Sequence, residues 1–173
     1  MAITPDTKDW TWVLERPCPE CGFTATEVRF EDIPRLLREN AAGWLPVLER
    51  ADVTVRPSAN TWSALEYAAH VRDVFRIFAV RLALMLAEDD PLFPNWDQDA
   101  TAEAERYNEQ DPTVVTGELA EAAASLAELF AAVPALDRGR TGRRSNGAVF
   151  TVTTLGRYLV HDAVHHLHDV AGD

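Results

Sequence analysis

The chain has 173 residues, which is enough for one domain that buries a hydrophobic core without cross-links. Hydrophobic residues make up 47% and charged residues 25% of it, as in ordinary globular proteins, and its formal net charge of −12 disfavours nucleic acid and anionic membranes as partners. The first residues do not show the cationic segment followed by an apolar segment that is typical of a signal peptide. No apolar run approaches the length of a transmembrane helix. We therefore expect a cytoplasmic protein with no nucleic-acid or membrane partner.

Residues 1–29 are predicted to form an irregular arm that packs on the domain through Trp10 and Trp12, because no apolar period persists there. Cys18-Pro-Glu-Cys21-Gly, which holds both cysteines of the chain, has the form of one zinc knuckle or of a redox pair. A structural zinc site needs a second pair of ligands, and no further cysteine supplies it. A thioredoxin-like motif expects a βαβ context, which the flanking residues lack. A tight turn with two free thiols, metal binding and redox chemistry are the three alternatives.

Four segments repeat their apolar residues at the spacing of amphipathic helices. They cover, in chain order, about 33–50, 61–88, 112–133 and 153–170. Asn60 or Thr61 is the predicted cap of the second helix, Asp111 of the third and Thr153 of the fourth. Pro46 predicts a bend or an early end of the first helix. A shorter polar helix is expected between residues 99 and 108, and a brief extended segment over 148–152.

Two connecting segments carry side chains that suit a binding site. The loop 91–97 contains aromatic residues that either line a pocket or anchor the loop. The segment 138–147 is basic and glycine-rich within an acidic protein. Its arginines either bind a carboxylate or phosphate of a substrate or neutralise nearby acidic residues. They are Arg138, Arg140, Arg143 and Arg144.

The fourth predicted helix carries four of the five histidines. At about 100° per residue, His161, His165 and His168 fall within roughly 60° of one another, whereas His166 lies about 140° from His161. Two imidazoles four residues apart bind one metal ion when a further ligand arrives from another element. His70, on the second predicted helix, is the candidate for that ligand; taken alone, it would be interpreted as a hydrogen-bonded core histidine.

Four helices with no convincing sheet predict an all-α protein, a four-helix bundle over residues 30–173 with the irregular arm 1–29 outside it. The connections after the first and third helices are long enough for a crossover. Bundles of this kind build metal sites from inward side chains on facing helices. The predicted fold therefore agrees with a metal site between the second and fourth helices.

The sequence resembles the DinB-like four-helix bundles, which include bacillithiol transferases and mycothiol-dependent maleylpyruvate isomerases. The resemblance covers roughly residues 33–170 and is carried by Trp62–Asp73, Phe150–Val152 and Arg157–His166. It implies a divalent metal ion, zinc or nickel, held by a histidine of the second helix and a His-x-x-x-His pair. The matching residues here are His70, His161 and His165. The resemblance does not require His168, whose role is open.

Three functions are compatible with such a site. The first is a metal-dependent S-transferase or isomerase that uses a low-molecular-weight thiol, such as mycothiol or bacillithiol, on a small-molecule substrate. The second is a metal-dependent hydrolase with Glu66, one turn before His70, as the base. The third is a non-catalytic module whose ion fastens two helices, in a monomer or a homodimer. Asp162 and Asp169 are candidates for carboxylates that orient the metal-binding histidines. Tyr158 is a candidate for donating a hydrogen bond to a bound group.

Overall fold

The structure, a computed structural model, describes residue 3 and residues 9–171. The predicted arm 1–29 and bundle 30–173 also include residues 1–2, 4–8 and 172–173, which lie outside the described residues. Five helices make up most of the described chain: α1 (Ile33–Leu48), α2 (Ala64–Ala87), α3 (Gln98–Ala104), α4 (Pro112–Ala131) and α5 (Val152–Ala171). An antiparallel hairpin of β1 (Thr141–Arg143) and β2 (Val149–Thr151) precedes α5.

The four long helices form the predicted four-helix bundle. Both α4 and α5 pack along α1 and along α2, whereas α1 and α2 have less contact with each other. The order around the bundle is therefore α1, α4, α2, α5, with consecutive helices α1 and α2 at opposite corners. Of the helices in the described part of the chain, none is both long enough and apolar enough to cross a bilayer.

Local capping interactions determine where the long helices begin. The Ser63 side chain accepts a hydrogen bond from the backbone N–H of Glu66, and the Glu66 carboxylate accepts one from the backbone N–H of Ser63. This capping box starts α2 three residues later than the first position predicted. Asp111 caps α4 as predicted, by accepting from the backbone N–H of Thr113.

The start of α5 differs from the prediction in its capping residue. The hydroxyl groups of Thr151 and Thr154 each accept a hydrogen bond from the backbone N–H of the other residue, at 3.1 and 2.8 Å. The hydroxyl of Thr153, the predicted cap, instead lies 3.3 Å from the carbonyl oxygen of Arg138. The hairpin therefore takes part in fixing the first turn of α5.

Helix α1 does not end at Pro46 but continues through it to Leu48. Trp44 and Val47, on either side of the proline, are buried in the core, so tertiary packing stabilises the last turn. Gly43 brings α1 close to α5, since a Cβ atom at this position would lie 2.6 Å from Cδ2 of Leu167.

The N-terminal arm folds back onto α5 through short 3₁₀ turns at Thr11–Leu14 and Ala25–Glu27. Its residues Val13 and Cys18 are buried, and Trp10 stacks on Trp12 with ring centroids 5.6 Å apart. The Arg157 side chain donates a 2.9 Å hydrogen bond to the carbonyl oxygen of Val28, which joins the arm to α5. The arm therefore shares its contacts with the helix that carries the histidine cluster.

The long connection between α2 and α4 is held by a buried polar network. The Tyr107 hydroxyl donates to the Asp73 carboxylate at 2.5 Å, and Arg72 bonds to Asp73, Gln110 and Glu118. Because Arg72 and Tyr107 are buried, losing the Asp73 carboxylate would leave buried polar groups unsatisfied. The network fixes the connection that carries α3 and the aromatic loop 91–97 relative to α2.

Replacing Ser63 with alanine removes the cap of α2 and its 2.6 Å hydrogen bond to Asn108. We expect Ser63→Ala to lower the free energy of unfolding by about 1–2 kcal/mol, measured by urea denaturation. Ser145→Ala is the matched control, since Ser145 lies exposed in the hairpin. An equal loss in both variants would contradict the capping role.

Candidate metal centre

A pocket of about 570 Å³ lies between α2, α5, the loop 91–97 and the hairpin. Four of the five histidines line this pocket: His70, His161, His165 and His166. His168 lies on an exposed position near the end of α5. The histidines that line the pocket fall into two separate groups of potential metal ligands.

The first group, called the pocket group here, consists of His70, Asp162 and His166. One potential ligand atom from each of these residues lies within 4.8 Å of the others. The rings of His70 and His166 meet edge to face, with centroids 4.8 Å apart. Nε2 of His166 lies 3.7 Å from the Asp162 carboxylate. Helix α2 thus contributes one imidazole to this group, and α5 contributes an imidazole and a carboxylate one turn apart.

His70 is enclosed by aromatic rings. Trp96 of the loop 91–97 stacks on it at 5.5 Å between centroids, and Trp62 lies at 5.1 Å. The Trp96 indole N–H donates to the Thr101 hydroxyl at 2.8 Å, which fixes the position of the stack. Burial, together with nearby His166, holds the pKa of His70 well below its ordinary value of 6.5. Its ring is therefore the neutral form, which binds metal ions.

The residues of the pocket group fit a divalent metal ion. Within the described residues, Nδ1 of His70 is buried and has no hydrogen-bond partner. Such an atom in a native protein calls for an explanation, and a bound ion is one. Two imidazoles and one carboxylate are also the donor set of a class of catalytic zinc sites, which keep a fourth position open. The pocket provides access to that position.

The second group, called the knuckle group here, consists of Cys18, Cys21, His161 and His165. One ligand atom from each lies within 4.8 Å of all the others. Sγ of Cys18 is 3.7 Å from Nδ1 of His165. Burial, with the neighbouring Cys18 thiol adding to it, raises the pKa of the Cys21 thiol to about 11. The Cys-x-x-Cys turn and the His-x-x-x-His pair, far apart in sequence, therefore meet in one place.

The structure does not bring the three predicted ligands into one group. His161 and His165 lie together, one turn apart on α5, whereas His70 lies with Asp162 and His166. Whether His70, His161 and His165 bind metal stays a prediction. Sequence reasoning did not select His166, because helical phase shows which residues share a face of α5 but not which face turns toward α2.

The other polar residues considered from the sequence have defined partners. The Glu66 carboxylate caps α2 and forms an ion pair with Arg56, and it does not line the pocket. The Tyr158 hydroxyl lies 3.4 Å from Nη1 of Arg144 at the pocket wall. Asp169 lies 3.7 Å from Nε2 of His165 and also lines the pocket. Glu66 is therefore a structural residue here, whereas Tyr158 and Asp169 belong to the site.

The four arginines of the segment 138–147 divide between the two roles considered from the sequence, neutralising acidic residues and binding a substrate anion. Arg138 forms an ion pair with Glu31, Arg140 with Asp89 and Arg143 with Asp90. Arg144, in contrast, lines the pocket and lies over the Tyr158 ring at 4.7 Å. Three of the arginines therefore neutralise acidic residues, and one faces the site.

Arg81 is a pocket residue that sequence reasoning missed. It is buried, and burial together with Arg144 lowers the pKa of its guanidinium to about 10. Among the described residues, no carboxylate lies within ion-pair distance of Arg81 or Arg144, and Nε of Arg81 has no hydrogen-bond partner. A signal existed in the sequence: Arg81 follows His70 by 11 residues, which places both within about 20° on one helical face.

Residues 35–170 match the sequence profile of the DinB superfamily, and the chain belongs to this superfamily. Among solved structures, YfiT from Bacillus subtilis has the same fold, with a TM-score of 0.74 and 20% sequence identity over 82% of this chain and 83% of that one. YfiT is described as a probable metal-dependent hydrolase with an unusual four-helix bundle topology. No curated protein matches the sequence significantly.

The neutral histidines should make the metal-free protein sensitive to acid. Burial, with His165 and His166 adding to it, lowers the pKa of His161 to about 4, against 6.5 in the unfolded chain. As the pH falls from 6.5 to 4, the unfolded state binds this proton and the folded state does not, so stability decreases. We expect His161 to account for a loss of about 2–3 kcal/mol over this range.

Urea denaturation of the chelator-treated protein at pH 7.5 and pH 5 measures this effect. His161→Gln should lose less stability between the two pH values than the wild type does, because glutamine does not titrate. His168→Gln, at an exposed position, is the control and should keep the wild-type difference. The prediction fails if His161→Gln and the wild type respond equally to pH.

Proposed function

We propose that this protein is a metal-dependent enzyme that acts on small anionic molecules, with the metal ion held by His70, Asp162 and His166. The observation that carries the proposal is the meeting of these three donors in the wall of a pocket that also holds Arg81 and Arg144, which form no ion pair with a carboxylate of the described residues. A purely structural site would not need an open pocket that places two arginines beside it.

The residues of the pocket group have separate tasks in this proposal. His70 supplies a neutral imidazole whose orientation is set by the stack with Trp96. Asp162 supplies the negative charge that offsets part of the charge of a cation. A divalent ion at such a site supplies polarisation of a substrate oxygen and activation of water or of a thiol. Asp169, which lies 3.6 Å from Nδ1 of His166, supplies a carboxylate that can orient this ring.

Arg81 and Arg144 would bind the anionic part of the substrate. A guanidinium group forms paired hydrogen bonds with a carboxylate or a phosphate, and burial strengthens that attraction because little water competes. Arg81 follows His70 by 11 positions, which corresponds to about 16 Å along α2. The substrate anion is therefore expected at the opposite end of the pocket from the reacting group.

Hydrolysis is the reaction that the donor set supports best. Two imidazoles and one carboxylate, with a position left for water, are typical of zinc hydrolases. The structural likeness to YfiT, described as a probable metal-dependent hydrolase, supports the same reaction class. Because Glu66 is engaged in the capping box and with Arg56, we do not assign it the role of base.

Thiol transfer is the second candidate function, and the volume of the pocket favours it. A volume of about 570 Å³ exceeds what a water molecule and a small ester require, and we propose a thiol such as mycothiol or bacillithiol as the cosubstrate. A bound thiol would meet the metal as thiolate, the reactive form of a thiol. Zinc or nickel is the expected ion for either reaction.

We expect His70→Ala and His166→Ala to lose the metal ion of the pocket group and to lower turnover at least a hundredfold. The physical reason is that each variant removes one of three protein ligands. Metal content is measured by elemental mass spectrometry, and turnover is measured with carboxylate-bearing esters and amides and, separately, with thiol acceptors. His168→Ala is the matched control on the exposed part of α5 and should change neither quantity. Full metal content and full turnover in His70→Ala would overturn the assignment of this site.

Arg81→Met should weaken the binding of anionic substrates with little effect on neutral ones. Losing a hydrogen bond to a charged group costs about 1.5–3 kcal/mol, so KM should rise at least tenfold while kcat changes little. Arg143→Met provides the control, because Arg143 is exposed and pairs with Asp90. Equal changes in KM for charged and neutral substrates would contradict the role given to Arg81.

A further inference from the structure

We infer that Cys18, Cys21, His161 and His165 form a second metal site, a closed Cys₂His₂ zinc site that fastens the N-terminal arm to α5. This inference uses none of the residues of the pocket group and does not depend on the proposed enzymatic function. It supplies the second pair of ligands that the Cys-x-x-Cys motif lacks in the sequence.

The turn that carries the cysteines has the shape of a metal knuckle. The backbone N–H of Gly22 donates to the carbonyl oxygen of Cys18 at 2.8 Å, and the N–H of Cys18 donates to the carbonyl oxygen of Phe23 at 2.9 Å. Gly22 has a φ of +73°, which a side chain would disfavour at this position. This closed turn brings both thiols toward α5, where they meet the two histidines.

The separations of the ligand atoms suit tetrahedral zinc. Zn–S bonds of about 2.3 Å and Zn–N bonds of about 2.0–2.1 Å place the ligand atoms about 3.3–3.8 Å apart. Sγ of Cys18 and Nδ1 of His165 are 3.7 Å apart, and all four ligand atoms lie within 4.8 Å of one another. Side-chain rotations that close the remaining separations by about 1 Å complete the tetrahedron.

The surroundings of the histidines agree with a ligand role. On the side of the His165 ring away from Cys18, Nε2 lies 3.4 Å from the Glu20 carboxylate and 3.7 Å from that of Asp169. Carboxylates in this position orient metal-bound imidazoles in many proteins. Within the described residues, Nε2 of His161 is buried and has no hydrogen-bond partner. A zinc ion would satisfy this nitrogen and neutralise the charge of two thiolates inside the protein.

The site is closed and therefore structural rather than catalytic. Four protein ligands complete the tetrahedron, and Trp10 covers the group, with its ring 4.9 Å from His165 and 5.8 Å from His161. Trp10 also lines the pocket. A zinc ion at the knuckle group would thus hold one wall of the pocket in place. With His161 and His165 bound to this zinc ion, the ion proposed for the pocket would be held by His70, Asp162 and His166.

Cobalt substitution tests this inference on the full chain. The Co²⁺ form should show the intense thiolate-to-cobalt absorption and the visible bands of a tetrahedral site. The thiolate-to-cobalt absorption, which only a cysteine-bound ion produces, should be lost in Cys18→Ser and in Cys21→Ser and retained in His70→Ala. The His70→Ala variant also distinguishes the two sites: if the pocket group binds no metal, the thiolate-to-cobalt absorption of the knuckle group should be unchanged. A wild-type cobalt protein without thiolate bands would overturn the inference.

A second measurement uses the wild-type protein and avoids variants that fail to fold. Two equivalents of a mercurial reagent, which blocks both thiols, should release one zinc ion per chain, detected with a chromophoric chelator. Cys18 and Cys21 are the cysteines of the chain, so the titration reports on this site alone. Blocking of both thiols without release of zinc would overturn the inference. So would a Cys18–Cys21 disulfide that forms again after the protein has been reduced and supplied with zinc.

Discussion

The position of α5 between α2 and the N-terminal arm is the constraint on which both candidate sites depend. Successive residues of a helix are rotated by about 100°, so the rings of His165 and His166 leave α5 in different directions. His165 turns toward the cysteines of the arm, and His166 turns toward His70 on α2. Neighbouring histidines of one helix thereby belong to two different candidate sites. The arrangement requires that the arm pack on α5, which the hydrogen bond from Arg157 to Val28 supports.

Desolvation explains the chemistry of these residues. The pKa values of His70 and His161 are lowered chiefly by burial, so both imidazoles are neutral and able to accept a metal ion. A buried nitrogen without a partner is costly in a folded protein, which is why a ligand is the natural complement of these groups. Arg81 presents the opposite case, a buried cation that calls for an anion from the pocket.

Connecting segments complete the pocket that the helices outline. The loop 91–97 places Trp96 against His70, and the Tyr107–Asp73 hydrogen bond anchors the same connection to α2. The turn of the hairpin places Arg144 in the pocket lining, while Arg138, Arg140 and Arg143 pair with acidic residues. The bundle thus provides the candidate metal-binding residues, and the loops complete the pocket around them.

The sequence by itself determined the helices, the bundle class and the superfamily, because apolar spacing and local motifs are properties of neighbouring residues. It also predicted a metal site at the histidine-rich helix and left metal binding as one of three alternatives for the Cys-x-x-Cys turn. Only the tertiary structure decided which histidine meets which partner, since the rotation of α5 about its axis results from packing on every side of it. The same holds for Arg81: the sequence shows that it shares a helical face with His70, but only the fold shows that it is buried at a pocket with no carboxylate of residues 9–171 within ion-pair distance. Periodicity shows which residues share a face of a helix, and the fold determines which neighbouring elements that face contacts.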